Sequence, residues 1–257
     1  MSTVVCFKWV VVAGDLRTDP ETGELDVSRA RHEIAPYDRN TIQAARLVAS
    51  ARSGPVVGLT AGSITPAGLK DALARGLDEV VHVPLDEQAP LDGHVTAHVL
   101  AAAIGTLEGA DLVLTTEGSA DSYAHETAPR VAELLGWPVV TNARSVEMNG
   151  SRLRATRVRD DDLETVEVDL PAVVSVVPEV AAAPIPGLTA VLAAAKKPRL
   201  VLTVPELGLG PDATTPRCRP VGTRGFLTAR RGIRYEGSPS EVATALVDAL
   251  DRDGVLA

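Results

Sequence analysis

Aromatic side chains are scarce in this chain of 257 residues: two Trp, three Tyr and two Phe make up 3% of it. Its core cannot rest on stacked rings, so Val, Leu and Ala must fill it, as in strands covered by helices on both faces. Cysteine is scarcer still. Cys6 and Cys218 stand too far apart in sequence to suggest a disulfide framework, which points to a reducing, cytoplasmic setting. Positive charge is in deficit, with a formal net charge of −9, and the basic clusters are short: Lys196–Lys197 and scattered arginines from Arg217 to Arg234. Nucleic acid is therefore not expected as a partner, because phosphate contacts need clustered cations. No apolar run reaches the length of a membrane helix, so no membrane insertion is expected. The run Val4–Ala13 is broken by Lys8 and reads as a first strand rather than a signal segment.

The chemistry of common enzymes is also missing. There is no G-x-G-x-x-G, no Walker A loop and no G-x-S-x-G elbow. His94 and His98 have the i, i+4 spacing of a metal pair, but zinc needs further ligands and only acidic residues such as Asp86 and Asp92 stand near. They read as surface histidines. His32, His82 and His125 have no evident Cys or Ser partner, and Asp160–Asp162 reads as a solvated turn. With no nucleophile, base and orienter in sight, weight shifts from catalysis toward binding or carrying something.

What is present is alternation. Val4–Val12 reads as a strand, and Asp15–Glu33 as a polar excursion with a turn at Thr22-Gly23. A helix follows over Asp38–Ala51, with Asp38 available as N-cap. Strand Pro55–Thr60, helix Pro66–Arg75, strand Glu79–Val83, helix Val95–Leu107 and strand Leu112–Leu114 come next. This rhythm predicts a parallel sheet with right-handed crossovers. Ligands on such sheets sit beyond the strand carboxyl ends, so the loops after Val12, Thr60 and Leu114 should converge on one crevice.

The character changes after Val139-Val140. Ser145–Met148, Leu153–Val158 and Thr165–Leu170 read as antiparallel hairpins, followed by a buried strand Ala172–Val177. Pro186–Lys197 reads as a helix and Leu200–Thr203 as a strand. Glu206–Gly237 is irregular, and a segment of that length is functional, an arm on a partner, or disordered. Ser238-Pro239-Ser240-Glu241 is a capping box opening a final amphipathic helix with Val242, Leu246 and Leu250. The expected fold class is α/β: a Rossmann-like parallel sheet flanked by helices, with an added antiparallel hairpin region and an extended C-terminal arm. Two parts are expected, 1–205 as the α/β domain and 206–257 as the C-terminal arm and helix.

One junction carries more than the others. Leu112–Leu114 leads into a small, polar, acidic loop and then a helix with Thr127 as expected N-cap, Pro129 in its first turn, and Val131, Leu134 and Leu135 on its buried face. Gly136 can end that helix, and Pro138 prevents its continuation. Such a junction aims backbone N–H groups above the sheet, where phosphate is a common occupant. On local evidence it is either a plain connection or an anion site.

Several separated segments together resemble the β subunit of electron transfer flavoproteins. Val5-Cys6-Phe7-Lys8 is similar to that family's V-C-I-K opening, and Ala35-Pro36-Tyr37-Asp38 to its N-P-F/Y-D-E motif. Ala61-Gly62 resembles its G-P loop, and Ala72-Leu73-Ala74-Arg75-Gly76-Leu77-Asp78 its A-L-A-M-G-A-D run. Asp121 to Pro129 resembles its D-x-x-x-x-Q-[TV]-G-P loop, and Leu170-Pro171-Ala172-Val173-Val174 its L-P-A-V-V strand. Leu188 to Pro198 and Glu206-Leu207-Gly208-Leu209 resemble its S-L-x-x-I-M-K-A-K-K-K-P and D-L-G-L segments. The order of these motifs runs from residue 3 to about 210.

The resemblance implies a subunit without catalytic residues that holds AMP, while an α subunit carries the redox FAD. By matching position, Cys6, Ala35, Asp38, Ala61, Asp121, Ser122, Tyr123, Ala124, His125, Glu126 and Thr127 would line the nucleotide, with the phosphate on the amides of 124–127. Leu188 would dock on one or more flavin dehydrogenases. The chain departs from the pattern at Ala35 for Asn, Glu126 for Gln, Ala128 for Gly, and at Ala181–Ile185, where an Arg is lost. Two other readings fit the same fold: a stand-alone adenine-nucleotide sensor, and a bifurcating variant with FAD in this subunit.

Overall fold

The computed structural model describes residues 1–86, 91–160, 162–226 and 232–256. The chain runs through β1 (Ser2–Cys6), β2 (Trp9–Val11), β3 (Arg17–Thr18), β4 (Leu25–Asp26) and β5 (His32–Ile34) into α1 (Pro36–Arg52). It continues as β6 (Val56–Ala61), α2 (Pro66–Ala74), β7 (Glu79–Val83), α3 (Gly93–Thr106), β8 (Ala110–Thr116) and α4 (Thr127–Leu135). Then come β9 (Val139–Asn149), β10 (Arg152–Arg159), β11 (Asp162–Asp169), β12 (Ala172–Val176), α5 (Leu188–Ala194), β13 (Arg199–Val201), α6 (Pro211–Thr214) and α7 (Pro239–Arg252).

The main sheet has nine strands in the order β11-β10-β9-β12-β8-β1-β6-β7-β13. From β12 to β13 every pairing is parallel, while β9, β10 and β11 are joined antiparallel. The expected α/β class is therefore the observed one. Alternation sorts the side chains onto two faces. Val5, Leu112, Leu114 and Val174 pack with α1 and α2, whereas Val4, Cys6, Val113 and Val173 pack with α3 and α4. With few rings available, Val, Ala and Leu do fill both cores.

Several expected boundaries move, each for a local reason. Val4–Val12 is not one strand: the chain leaves the sheet after Cys6, and Trp9–Val11 pairs antiparallel with β5 in a separate small sheet. Lys8 is exposed at that exit, where a cation keeps its water. Asp38 is not an N-cap. Pro36 fixes the first helical residue, Ala35 occupies the cap, and Asp38 falls inside the first turn and is buried. Thr127 is likewise the first helical residue, with Glu126 before it as N-cap. The buried face of α4 is Ala128, Val131 and Ala132, leaving Leu134 exposed. Gly136 ends the helix in the left-handed conformation, as expected.

Val139-Val140 and Ser145–Met148 are one strand, β9, whose first half pairs with β12 and second half with β10. The expected Pro186–Lys197 helix shrinks to Leu188–Ala194, and the lysine pair is not simply solvated. Lys197 Nζ donates to the carbonyls of Leu73 and Leu77 at 3.3 and 2.5 Å, closing the end of α2. Asp161 of the acidic turn and residues 227–231 of the irregular stretch lie outside the described residues.

Two compact units are distinguished: Met1–Arg17 with Asp26–Thr223, and Thr18–Leu25 with Arg224–Ala257. In the second, α7 opens on the expected capping box: the Ser238 amide donates to Glu241 Oε2 at 2.9 Å, and the Glu241 amide to Ser238 Oγ at 3.4 Å. None of its side chains is buried.

Candidate functional site

The strand order sets the place. From β1 the chain moves one way, to β6 and β7, and then α3 carries it back across β1 to β8 and onward to β12. The direction reverses between β1 and β8, so a crevice opens beyond their carboxyl ends. The first loop over it starts after Cys6 rather than Val12. The loop after β8 crosses to meet it, and Lys8 Nζ lies 2.6 Å from Asp121 Oδ2. The loop after β6 is tied to the end of β7: the Gly62 amide donates to the Val83 carbonyl at 2.9 Å, and His82 Nε2 lies 2.7 Å from the Gly62 carbonyl.

Cys6, Asp38 and Asp121 gather around Lys8. Cys6 is buried, and burial, with the Asp38 charge nearby, pushes its thiol up to about 12, so it is a wall and not a nucleophile. Burial also pushes the Asp38 carboxyl up to about 7, opposed by the Lys8 backbone amide and ammonium. Asp121 goes the other way. Its partial burial is outweighed by hydrogen bonds from Lys8, Ser119 and the Ser122 amide, and the carboxyl sits below its ordinary range. Ala35 is buried just before α1, and Ala61 ends β6 with its methyl against the α3 face.

The loop between β8 and α4 has an unusual backbone. Tyr123 and His125 both take left-handed φ, 45° and 56°. The Tyr123 hydroxyl donates to Glu117 Oε1 at 2.6 Å, which pushes the phenol up to about 12. Its ring meets His125 edge-on at 4.3 Å and tilts toward Tyr37 at 6.3 Å between centroids. Gly118 makes room for that ring, since a Cβ there would lie 2.7 Å from it. The turn delivers the chain to α4 with no side-chain cap. Among the described residues, the amides of Ala124, His125, Glu126 and Thr127 have no acceptor within the chain.

Glu126 replaces an amide side chain with a carboxylate beside these donors. It does not face them unpaired: Arg130 Nε donates to its Oε2 at 2.8 Å, and its other end rests over Gly93 at the start of α3. The negative charge is thereby matched within the chain. Leu188, by contrast, is far from any of this in character: 75% exposed at the start of α5, beside Ile185 at 93%. His94 and His98 hold no metal cluster among the described residues. Their rings lie 4.2 Å apart, and His94 Nε2 is 2.9 Å from the Asp212 carbonyl.

Sequence reasoning missed Lys8, Tyr37, Glu117 and Arg130. Lys8 had a signal, a lone cation at the end of an apolar run. Arg130 stands four residues after Glu126, the spacing of a helix-surface ion pair. A family model described as the electron transfer flavoprotein domain matches residues 22–207, which contain α1, the crevice loop and Leu188. The chain belongs to the electron transfer flavoprotein family.

Proposed function

From that membership, we propose that the chain is the β-type half of a heterodimer. It holds AMP, contacts an α subunit bearing the redox FAD, and helps pass electrons from flavin dehydrogenases to a downstream acceptor. The observation that carries the reading is the open start of α4: four consecutive amides without acceptors, above the strand-order reversal. Backbone N–H groups and the helix dipole favour an anion there. The residues present fit a nucleotide monophosphate. The amides of 124–127 would take the phosphate, while Cys6, Ala35, Asp38, Ala61 and Asp121 would bound the rest.

The flavin of the α subunit supplies the redox chemistry, and this chain would position and shield without catalytic residues of its own. Leu188 and Ile185, exposed on the segment leading into α5, would meet a dehydrogenase. The exposed apolar side chains of α7, Leu246 and Val247, suit an α-subunit contact. No helix among the described residues is long and apolar enough to cross a membrane. The two widely separated cysteines suit a reducing, cytoplasmic setting for the complex.

Co-expression with a candidate α chain tests this. A one-to-one complex, yellow from one flavin and releasing AMP on denaturation, is the expected result. A monomer that binds ATP tightly would instead make it a sensor. Two flavins per heterodimer would place FAD in this chain.

A further inference from the structure

Asp38 is too deeply buried to act as a simple lining group. It is 2% exposed in the first turn of α1, and its Oδ2 has no hydrogen-bond partner. A carboxyl oxygen without a partner is retained at a cost, and Asp38 lies within electrostatic reach of the Lys8–Asp121 ion pair that joins the residues after β1 to the crevice loop. We propose that Asp38 is a proton-controlled latch on the crevice. Protonated, it leaves Lys8 to Asp121 and the loop 117–126 stays joined to β1; ionised, it draws the Lys8 ammonium to itself, repels Asp121, and releases the loop.

The surroundings leave few other routes. Cys6 of β1 is buried and stays neutral through the working range. Lys8, after β1, offers both its amide and its ammonium, and Asp121, after β8, contributes like charge. On α1 itself, Arg39 pairs through one terminal nitrogen with Glu33 of β5, while its buried Nε has no hydrogen-bond partner among the described residues. Because burial raises the Asp38 carboxyl to about 7, both forms are populated near neutrality. His125, in the same loop as Asp121, packs edge-on against Tyr123.

The latch rests on the buried, unpartnered carboxyl and the Lys8–Asp121 pair, with its pH range set by burial of Asp38; its effect on AMP rests on the function proposed above. Hydrogen exchange of the full chain, read by mass spectrometry at about pH 6 and about pH 8.5 and corrected for intrinsic rates, tests it. Peptides covering 117–123, where the amides of Glu117, Ser122 and Tyr123 have acceptors, should lose about tenfold in protection at the higher pH in the native chain. Asp38→Asn should abolish that step and keep the loop protected at both values. Asp121→Asn, at a half-exposed position, should leave the loop unprotected at both.

A step that persists in Asp38→Asn overturns the latch. So does a native chain without a step, or a loop that stays protected in Asp121→Asn. AMP content measured on the same samples separates the two ideas. AMP retained at both pH values with no exchange step removes the latch and leaves the nucleotide reading intact. A step in a chain that never holds AMP does the reverse.

Discussion

The starts of α3 and α4 lie on the same face of the sheet and are built in opposite ways. At α3, Asp92 accepts from the Val95 amide at 3.0 Å and from the amides of Arg217 and Cys218 at 2.6 and 2.8 Å. Those donors outweigh its burial and hold its carboxyl below the ordinary range, so the helix start carries its own permanent anion. At α4 the N-cap carboxylate of Glu126 turns to Arg130, and the amides before the helix are left open. A helix start sealed by a side chain serves stability. One left open above a strand-order reversal is available to a ligand.

The comparison breaks most readily at the acids. Asp38 is a carboxyl with a raised folded-state value, about 7 against an ordinary value near 3.8. Its contribution to stability is therefore complete below the unfolded value and is lost as pH rises through about 7. Chemical denaturation across that window should show the native chain losing roughly 3–4 kcal/mol from this group, with Asp38→Asn nearly flat. Asp92 has the opposite sign: its stabilisation is present above the ordinary carboxyl range and fades as pH falls through its lowered value.

Asp92→Ala removes one cap bond and orphans two further amides. It should lower stability by about 2 kcal/mol in urea unfolding, with AMP content unchanged. A loss of AMP without loss of stability would erase the distinction between the two helix starts. Arg130→Ala should do the reverse on a smaller scale. Its ion pair is 46% exposed on the arginine side, so melting should move by less than about 0.5 kcal/mol. AMP retention should still fall, because Glu126 would then stand unpaired beside the phosphate.

The alternation of strands and helices, the capping box of α7 and the glycine end of α4 were readable because each follows from local chemistry. What failed was tertiary. Apolar character alone could not show that the chain leaves the sheet after Cys6, since the residues that follow are as apolar as a strand. Nor could it show that Asp38, an ordinary cap residue by type, is buried once Pro36 starts the helix two residues earlier. The open amides were foreseen from a strand, loop and helix in succession. The Lys8–Asp121 bridge was not, because it joins residues more than a hundred positions apart in the chain. Glu126 was a departure from the family pattern in sequence, and its pairing with Arg130 shows how the chain accommodates the carboxylate.

The central claim is that the amides before α4 hold the phosphate of a nucleotide. Calorimetric titration of AMP into the nucleotide-stripped chain, beside Ala124→Asp, tests it directly. The account predicts binding by the native chain and a loss of about tenfold or more when a carboxylate is added among those donors. Equal affinity in the two chains, with both folded, would contradict it.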